Sequence, residues 1–197
     1  TVGGGIGGGA GGWYFAEAGT LRGMLQNHLL QILWLVAMEP PPSLAAEDIR
    51  NEKVKLLKSI RPMTMEAVAT NVVRGQYFAG ILNDDSREGY RQEERVNPES
   101  NVETFVALKL FIDNWRWSTV PFYLRTGKNL PLRASEVRVQ FRPTPNVLFA
   151  AQDNLDLHPN APTLRLQPDE GIFPRFHGKV PGNRIETRPV RVHGRSE

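Results

Sequence analysis

The sequence predicts an α+β fold: a large, mostly antiparallel or mixed sheet with helices packed on one face. Three observations support this prediction. Two helical patterns lie near the start of the chain, a run of short alternating strands follows them, and short polar links favour antiparallel pairing. With 197 residues and 40% hydrophobic content, the chain is long enough to bury a core.

Two helices are predicted before the strands begin. The first covers residues 16–38, and "EPPP" ends it because proline cannot continue a helix. Its predicted apolar side is formed by Leu21, Met24, Leu25, His28, Ile32 and Leu35. Ser43 is predicted to cap a second helix over residues 44–60, whose acidic start and basic end suit the helix dipole.

Strands are predicted after Pro62, where apolar and polar residues alternate over short runs. The predicted strands are 67–77, 104–112, 120–127, 136–141, 163–167, 171–178 and 188–192. Between the first two, the segment "NDDSREGYRQEERVNPESN" is so rich in charge that it is predicted to be a loop.

The opening "TVGGGIGGGAGG" contains G-x-G-x-x-G at Gly3, Gly5 and Gly8. A dinucleotide fingerprint needs a hydrophobic strand before it, and only Thr1 and Val2 precede this one. We therefore interpret residues 1–12 as a flexible glycine-rich lead-in and residues 13–197 as the domain. Because the chain begins at threonine, we expect it to be part of a longer protein.

Composition excludes several classes of function. The net charge of +3 is too small for a nucleic-acid surface, and no apolar run approaches the ~20 residues of a membrane span. The absence of cysteine excludes disulfides and is compatible with a reducing compartment without proving one. The expected location is cytoplasmic. His158, His177 and His193 have no partners at ligand spacing, and we predict no metal site.

Four candidate features remain, each with a plainer alternative. His28 is either a structural histidine or a general base. In "YLRTGKNLPLR", Lys128 and Arg133 either converge on an anion or are solvated loop charges. "DNWRWSTVPF" is either a packed corner or an aromatic and basic binding surface. Gln167 either binds a hydroxyl-bearing ligand or belongs to a turn before Pro168.

Several stretches of the chain carry a family resemblance when they are taken in order. They are "RGMLQNHLLQILWLVAMEPP", "VRGQY", "ETFVALKLFIDNWRWSTVPFYLRTGK" and "LRLQPDEGI", with "GGWYFAEAGTLR" as the lead into the first. Together they closely resemble the carboxy-terminal domain of glucose-6-phosphate dehydrogenase, from about Gly11 to Val192. "QNHLLQ" and "PFYLRTGK" are specific in combination, so chance is a poor explanation.

The resemblance implies an NADP-dependent oxidoreductase of the pentose phosphate pathway, which oxidises the C1 hydroxyl of glucose 6-phosphate to 6-phosphogluconolactone. It implies that His28 is the general base and that Lys128, Arg133 and Gln167 contact the substrate. An apolar wall would keep His28 neutral and the hydride path dry. The arginines that correspond to a second, structural NADP site are Arg125, Arg138 and Arg165.

The chain also departs from the family pattern. Gly23 replaces a substrate-binding aspartate five residues before the histidine, and Ala134 replaces a lysine of the structural NADP site. The family's Rossmann domain, with its D-H-Y-L-G-K segment, is expected elsewhere in the full-length protein, as is assembly into a homodimer or tetramer.

We therefore expect this chain alone to be inactive. One alternative is a truncated, non-catalytic relative that acts as a sheet-mediated oligomerisation module. Another is a fragment that folds poorly, because missing parts of the sheet would expose strand edges.

Overall fold

The structure is a computed structural model that describes residues 2–4, 19–143, 159–182, 187–191 and 194–195. The chain divides into two compact units, Thr1–Leu132 and Arg133–Glu197. Most of the predicted lead-in lies outside the described residues, although Val2–Gly4 forms a short strand.

The first unit contains all of the described helices. A π-helix over Leu21–Leu29 continues into helix α1, and a 3-10 turn follows later in the chain. The bounds are Leu30–Ala37 for α1, Ala46–Ser59 for α2, Met65–Asn71 for α3 and Tyr90–Gln92 for the 3-10 turn. The backbone N–H of Leu30 donates to the carbonyl oxygen of Leu25, which is the five-residue step of a π-helix.

Two sequence predictions, one of a helix cap and one of a strand, are wrong. Helix α2 has Ala45 at its N-cap position, because the hydroxyl of Ser43 accepts from the backbone of Ala45 and donates to Asp48 instead of capping the helix. The predicted strand over 67–77 begins with helix α3, because the hydroxyl of Thr64 accepts from the backbone N–H of Ala67 at 3.2 Å and starts a helical turn.

The described residues of the first unit also form six strands. They are β1 (Val2–Gly4), β2 (Val72–Gly75), β3 (Gly80–Leu82), β4 (Asp85–Arg87), β5 (Phe105–Phe111) and β6 (Pro121–Lys128). Strand β6 lies between β1, which is parallel to it, and β5, which is antiparallel, and β2 pairs with the other edge of β5. Strands β3 and β4 form a separate hairpin. Strand β3 precedes the segment that was predicted to be a charged loop and β4 lies inside it, so the loop prediction is wrong at β4.

The hydrophobic core of this unit lies between the helices and one face of the sheet. Its buried members are Leu29, Leu33, Ala37, Leu56, Leu110, Ile112 and Leu124. In β5 and β6, the residues that face this core have even numbers, as the two-residue period of a strand requires. The odd-numbered residues therefore lie on the opposite face.

The regular secondary structure of the described residues in the second unit is all strand. They are β7 (Ser135–Arg138), β8 (Thr163–Gln167), β9 (Gly171–Phe173), β10 (Arg175–Lys179), β11 (Thr187–Arg191) and β12 (Gly194–Arg195). Neighbouring strands in the orders β7-β8-β9-β12 and β10-β11 pair antiparallel. The predicted single strand over 171–178 is two strands, divided at Pro174, which has no N–H to donate to a ladder.

Helices on one face of a mixed sheet, together with antiparallel strand pairs, confirm the α+β prediction. Strands β5, β6, β7, β8 and β11 lie where the alternation predicted them, within a few residues at each end.

Candidate active site

His28 lies in the π-helix and its side chain is exposed. The expectation of an apolar wall around it is wrong for this structure. The buried stripe is Leu29, Leu33 and Ala37, spaced by four residues, and His28 is roughly a quarter of a turn away from it. Its imidazole is therefore accessible to a ligand from solvent.

The start of the helix that carries His28 is held by Glu103. The backbone N–H and the hydroxyl of Thr20 both donate to the carbonyl oxygen of Glu103, at 3.2 and 2.8 Å. The N–H of Leu21 donates to its carboxylate at 3.0 Å. Gly19 precedes this contact with a φ of 66°, and a Cβ there would lie 2.8 Å from the same carboxylate. Because an anion at a helix N-terminus is favourable, Glu103 fixes where the helix begins.

Lys128 ends strand β6 on the core face of the sheet, the face against which the helix of His28 packs. Its backbone N–H donates to the carbonyl oxygen of Thr104 at 2.9 Å, and only 8% of the residue is exposed. At the preceding Gly127, a Cβ would lie 2.8 Å from the ring of Phe105, so glycine is needed for this close approach.

Burial lowers the pKa of Lys128 below its ordinary value of 10.5, and the negative charge of Glu93 opposes that shift. The hydroxyl of Tyr77 donates a short hydrogen bond to the Glu93 carboxylate. The pKa of Tyr77 is raised strongly, mainly because of burial and further because of this bond. Lys128 is thus a mostly buried cation with a fixed carboxylate acting on it.

Glu93 and Tyr90 were missed by the sequence analysis because both lie in the segment assigned to a charged loop. Tyr90 is 1% exposed, and its ring packs edge-on against Tyr77 with 5.8 Å between centroids. The sequence feature that could have indicated a buried side chain was a single tyrosine, Tyr90, that follows a glycine within a run of charged residues. Its partner, Tyr77, is too distant in sequence for a local pattern to reveal the pair.

The predicted site residues of the second unit are mostly exposed. Arg133, Arg138 and Gln167 are exposed, whereas Ala134 is buried. Arg165 is paired, since its Nη2 lies 2.8 Å from Glu136 and its guanidinium lies 4.9 Å from the centroid of the Phe173 ring. Arg125, in the first unit, is exposed on the sheet face opposite the helices.

The tryptophan segment forms a packed corner at Trp117. The indole N–H of Trp117 donates to the carbonyl oxygen of Ala37 at 2.9 Å, and its ring packs edge-on against Phe122. Arg116 lies over the same ring and pairs with Glu39 at 3.1 Å. The packed-corner alternative therefore describes Trp117 and Arg116.

Known proteins match the whole of this chain. The family model described as glucose-6-phosphate dehydrogenase, C-terminal domain, matches residues 1–197. The chain belongs to this family. The resemblance inferred from the sequence motifs is thereby confirmed.

Curated relatives of this glucose-6-phosphate dehydrogenase domain include two bacterial enzymes named glucose-6-phosphate 1-dehydrogenase. The protein of Chlamydia trachomatis is 49% identical over 190 residues, which are 95% of this chain and 42% of that protein. The protein of Mycolicibacterium smegmatis is 47% identical over 187 residues, which are 95% of this chain and 37% of that protein. The chain thus spans about two fifths of the length of these relatives.

Solved structures give the same fold. A glucose-6-phosphate dehydrogenase in complex with its substrate glucose-6-phosphate superposes with a TM-score of 0.83 at 35% identity, covering 98% of this chain and 38% of that one. Glucose-6-phosphate 1-dehydrogenase from Mycobacterium avium gives a TM-score of 0.82 at 33% identity, covering 100% of this chain and 39% of that one.

Two features are absent from the described part of this glucose-6-phosphate dehydrogenase domain. No helix there combines the length and apolar character needed to cross a membrane. Within the same residues, no group of three or more His, Cys, Asp or Glu side chains is arranged to hold a metal ion.

Proposed function

We propose that this chain is the substrate-binding part of a glucose-6-phosphate 1-dehydrogenase, with His28 as general base and Lys128 as a ligand of the substrate phosphate. One observation carries the proposal beyond family membership. Lys128 is a mostly buried cation on the sheet face against which the helix of the accessible His28 packs. A solved relative was determined in complex with glucose-6-phosphate, which supports a sugar phosphate as the ligand.

The two residues have complementary chemistry for this substrate. A lysine ammonium is a compact charge that binds phosphate oxygens, and its cost of burial is offset when a dianionic phosphate approaches. A histidine accepts a proton near neutral pH, so His28 removes the C1 hydroxyl proton as the carbon is oxidised. In the second unit, Arg133 and Gln167 are proposed as further substrate contacts on the family resemblance alone.

The oxidation needs a nicotinamide dinucleotide, which supplies the hydride acceptor when bound. The described residues contain no strand, glycine turn and helix unit of the kind that holds a pyrophosphate. We therefore assign no step on the dinucleotide to this chain, and the preference for NADP stays a prediction. So does a second NADP site at Arg125, Arg138 and Arg165, where the pairing of Arg165 with Glu136 would have to be shared or broken.

The test places the chain in a complete enzyme, where it replaces the matching segment of the Chlamydia trachomatis protein. We expect His28→Asn to lower kcat by about 10²–10⁴-fold, the contribution of one general base, with little change in unfolding because the side chain is exposed. The control is Leu35→Asn, which changes a 70% exposed residue on helix α1 and should leave kcat unaltered. An enzyme that keeps its kcat without His28 would contradict the proposal.

A second candidate function is sheet-mediated oligomerisation, and one observation favours it. The sheet face opposite the helices of the first unit exposes apolar side chains, with 62% of Val73 and 71% of Tyr123 accessible. The register places Val73 beside Ala107 and Tyr123 beside Lys109 on this face. An exposed apolar surface on a sheet is typical of a contact with another chain. The homodimer predicted for the intact enzyme would use the same face.

A further inference from the structure

The segment between the β3–β4 hairpin and strand β5 brings a carboxylate to the buried end of β6. Glu93 follows the 3-10 turn, is partly buried, and accepts a hydrogen bond from the hydroxyl of Tyr77. Tyr77 and Lys128 both bond Thr104 through their backbone N–H groups, so Glu93 and Lys128 belong to one cluster, and the Glu93 charge raises the pKa of Lys128 against the effect of burial. Neither the family resemblance nor the sequence motifs assign a role to Glu93.

We infer that Glu93, held by Tyr77 in the same cluster of contacts that holds Lys128, is a positioning residue that favours the charged form of Lys128 for the substrate phosphate. This inference rests on the proposed function of Lys128 and adds a residue that acts on that lysine. Glu93 is not proposed to touch the substrate. Its effect reaches the sugar phosphate only through the lysine.

Tyr77 is fixed by three separate contacts, which makes it a firm support for the carboxylate. Its backbone N–H donates to the hydroxyl of Thr104 at 3.1 Å, and its carbonyl oxygen accepts from the N–H of Tyr90 at 3.1 Å. Its ring packs against the buried ring of Tyr90. Because Thr104 also accepts from the backbone of Lys128, the same short segment of chain holds both the lysine and the tyrosine behind Glu93.

The electrostatic consequence follows from the burial of Lys128. Desolvation favours the neutral amine, and a neutral amine binds a phosphate dianion far less well than an ammonium does. Glu93 opposes desolvation and so widens the pH range in which Lys128 is a cation. Other titratable groups lie on the neighbouring elements, and they are Arg22 and His28 on the π-helix, Tyr90 and Arg91 on the 3-10 turn, Tyr77 after β2, Glu103 before β5 and Arg125 on the opposite face of β6.

The chain offers a matched control for Glu93 in its neighbour Glu94. Glu93→Gln and Glu94→Gln remove the same charge one residue apart, but the side chain of Glu94 is 92% exposed. Tyr77→Phe removes the hydroxyl behind Glu93, and Tyr123→Phe removes a hydroxyl from an exposed ring as its control.

The first measurement is the pKa of Lys128 in the full chain, followed by NMR of ¹³C-labelled lysine and assigned with Lys128→Met. We expect Glu93→Gln to lower this pKa and Glu94→Gln to leave it unchanged. Tyr77→Phe should produce a smaller change, because the carboxylate stays but loses its support. A purely structural role for Glu93 would lower the stability of the chain without this selective change in titration.

The second measurement is steady-state kinetics in the same chimeric enzyme. We expect Glu93→Gln to raise the KM for glucose 6-phosphate about tenfold and to leave kcat within about twofold, since a binding contact is weakened and the base is untouched. The alkaline limit of kcat/KM should move to lower pH. Glu93→Asp, which restores the charge on a shorter side chain, should recover part of the loss.

The outcomes separate this inference from the proposed function. If the unaltered chimera turns over but Glu93→Gln and Glu94→Gln match in Lys128 pKa and in KM, the inference is overturned and the proposed function stands. If the unaltered chimera neither binds nor oxidises glucose 6-phosphate, the proposed function fails and the inference fails with it. A selective fall in the Lys128 pKa with a selective rise in KM supports both.

Discussion

Lys128 is the residue at which folding and the proposed function are opposed. A mostly buried ammonium costs folding free energy, and burial lowers the pKa of Lys128 because the charged form is disfavoured there. An apolar residue at the end of β6 would fill the same space without that cost. The proposed phosphate ligand would offset part of this cost, in addition to the charge of Glu93.

The lowered pKa of Lys128 predicts that the stability of the chain depends on pH. Because the folded pKa of Lys128 lies below 10.5, the unfolded chain binds more protons between that lowered pKa and 10.5, so unfolding free energy rises with pH in this window. Relative to Lys128→Met, the unaltered chain should gain stability across the window. Urea unfolding of both proteins between neutral and alkaline pH measures the difference, and a flat difference would contradict the assignment.

Gly23 occupies the position at which the family resemblance predicts a substrate-binding aspartate. It lies half-buried in the π-helix that carries His28, in the position of an expected substrate-binding aspartate. We predict that Gly23→Asp tightens glucose 6-phosphate binding about tenfold, the worth of one hydrogen bond to a charged group. Gly23→Ala controls for helix propensity, and Gly23→Asn for shape. Calorimetric titration that ranks Asp no better than Asn would exclude a role for the charge.

At the scale of elements, the helix of His28 shows where a periodicity argument reaches its limit. The helix and its end before the prolines were predictable, since a run of apolar residues and a run of prolines both act locally. The buried face was not, because the π-helix changes the angle per residue, and because packing selects Leu29, Leu33 and Ala37 over a stripe through His28 and Leu35. The exposure of His28 follows from that choice.

The start of the same helix yields a prediction about stability. Glu103→Ala removes the carboxylate that accepts from the N–H of Leu21, and we expect a loss of about 0.5–2 kcal/mol in unfolding free energy, as for other N-terminal caps. Glu99→Ala, an exposed change in the same loop, is the control. If the two variants unfold alike by urea titration, Glu103 does not hold the helix.

Among the strands and the segments between them, some were predictable from local sequence and others depend on tertiary contacts. Strands β5 and β6 were predictable because alternation over seven and eight residues leaves little choice of face. The segment around Tyr90 was not, because its charged neighbours conceal an anchor whose partner, Tyr77, comes from another part of the chain. Lys128 could be named as a candidate from the sequence, whereas Glu93 required the fold.

At the scale of the whole molecule, the residues that the family resemblance nominates as substrate contacts are found in both units. The first unit carries His28 and Lys128, and the second carries Arg133 and Gln167. The sequence could nominate all four through the family motifs. It could not show that only Lys128 is buried, because burial depends on what packs against the end of β6.

The exposed sheet face predicts how this chain behaves on its own. Val73 and Tyr123 leave apolar surface in water, and covering that surface with a second copy would release free energy of roughly 25 cal/mol per Å² of apolar area. We therefore expect a dimer at micromolar concentrations in sedimentation velocity, weakened at least tenfold by Tyr123→Asp because a charge would be buried in the contact. Leu44→Asp, at an 88% exposed position near the start of α2, should leave the dimer intact. A monomer at every concentration would exclude this face as a self-association surface. That result would not bear on the proposal for His28 and Lys128, which is tested by the kinetics of the chimeric enzyme.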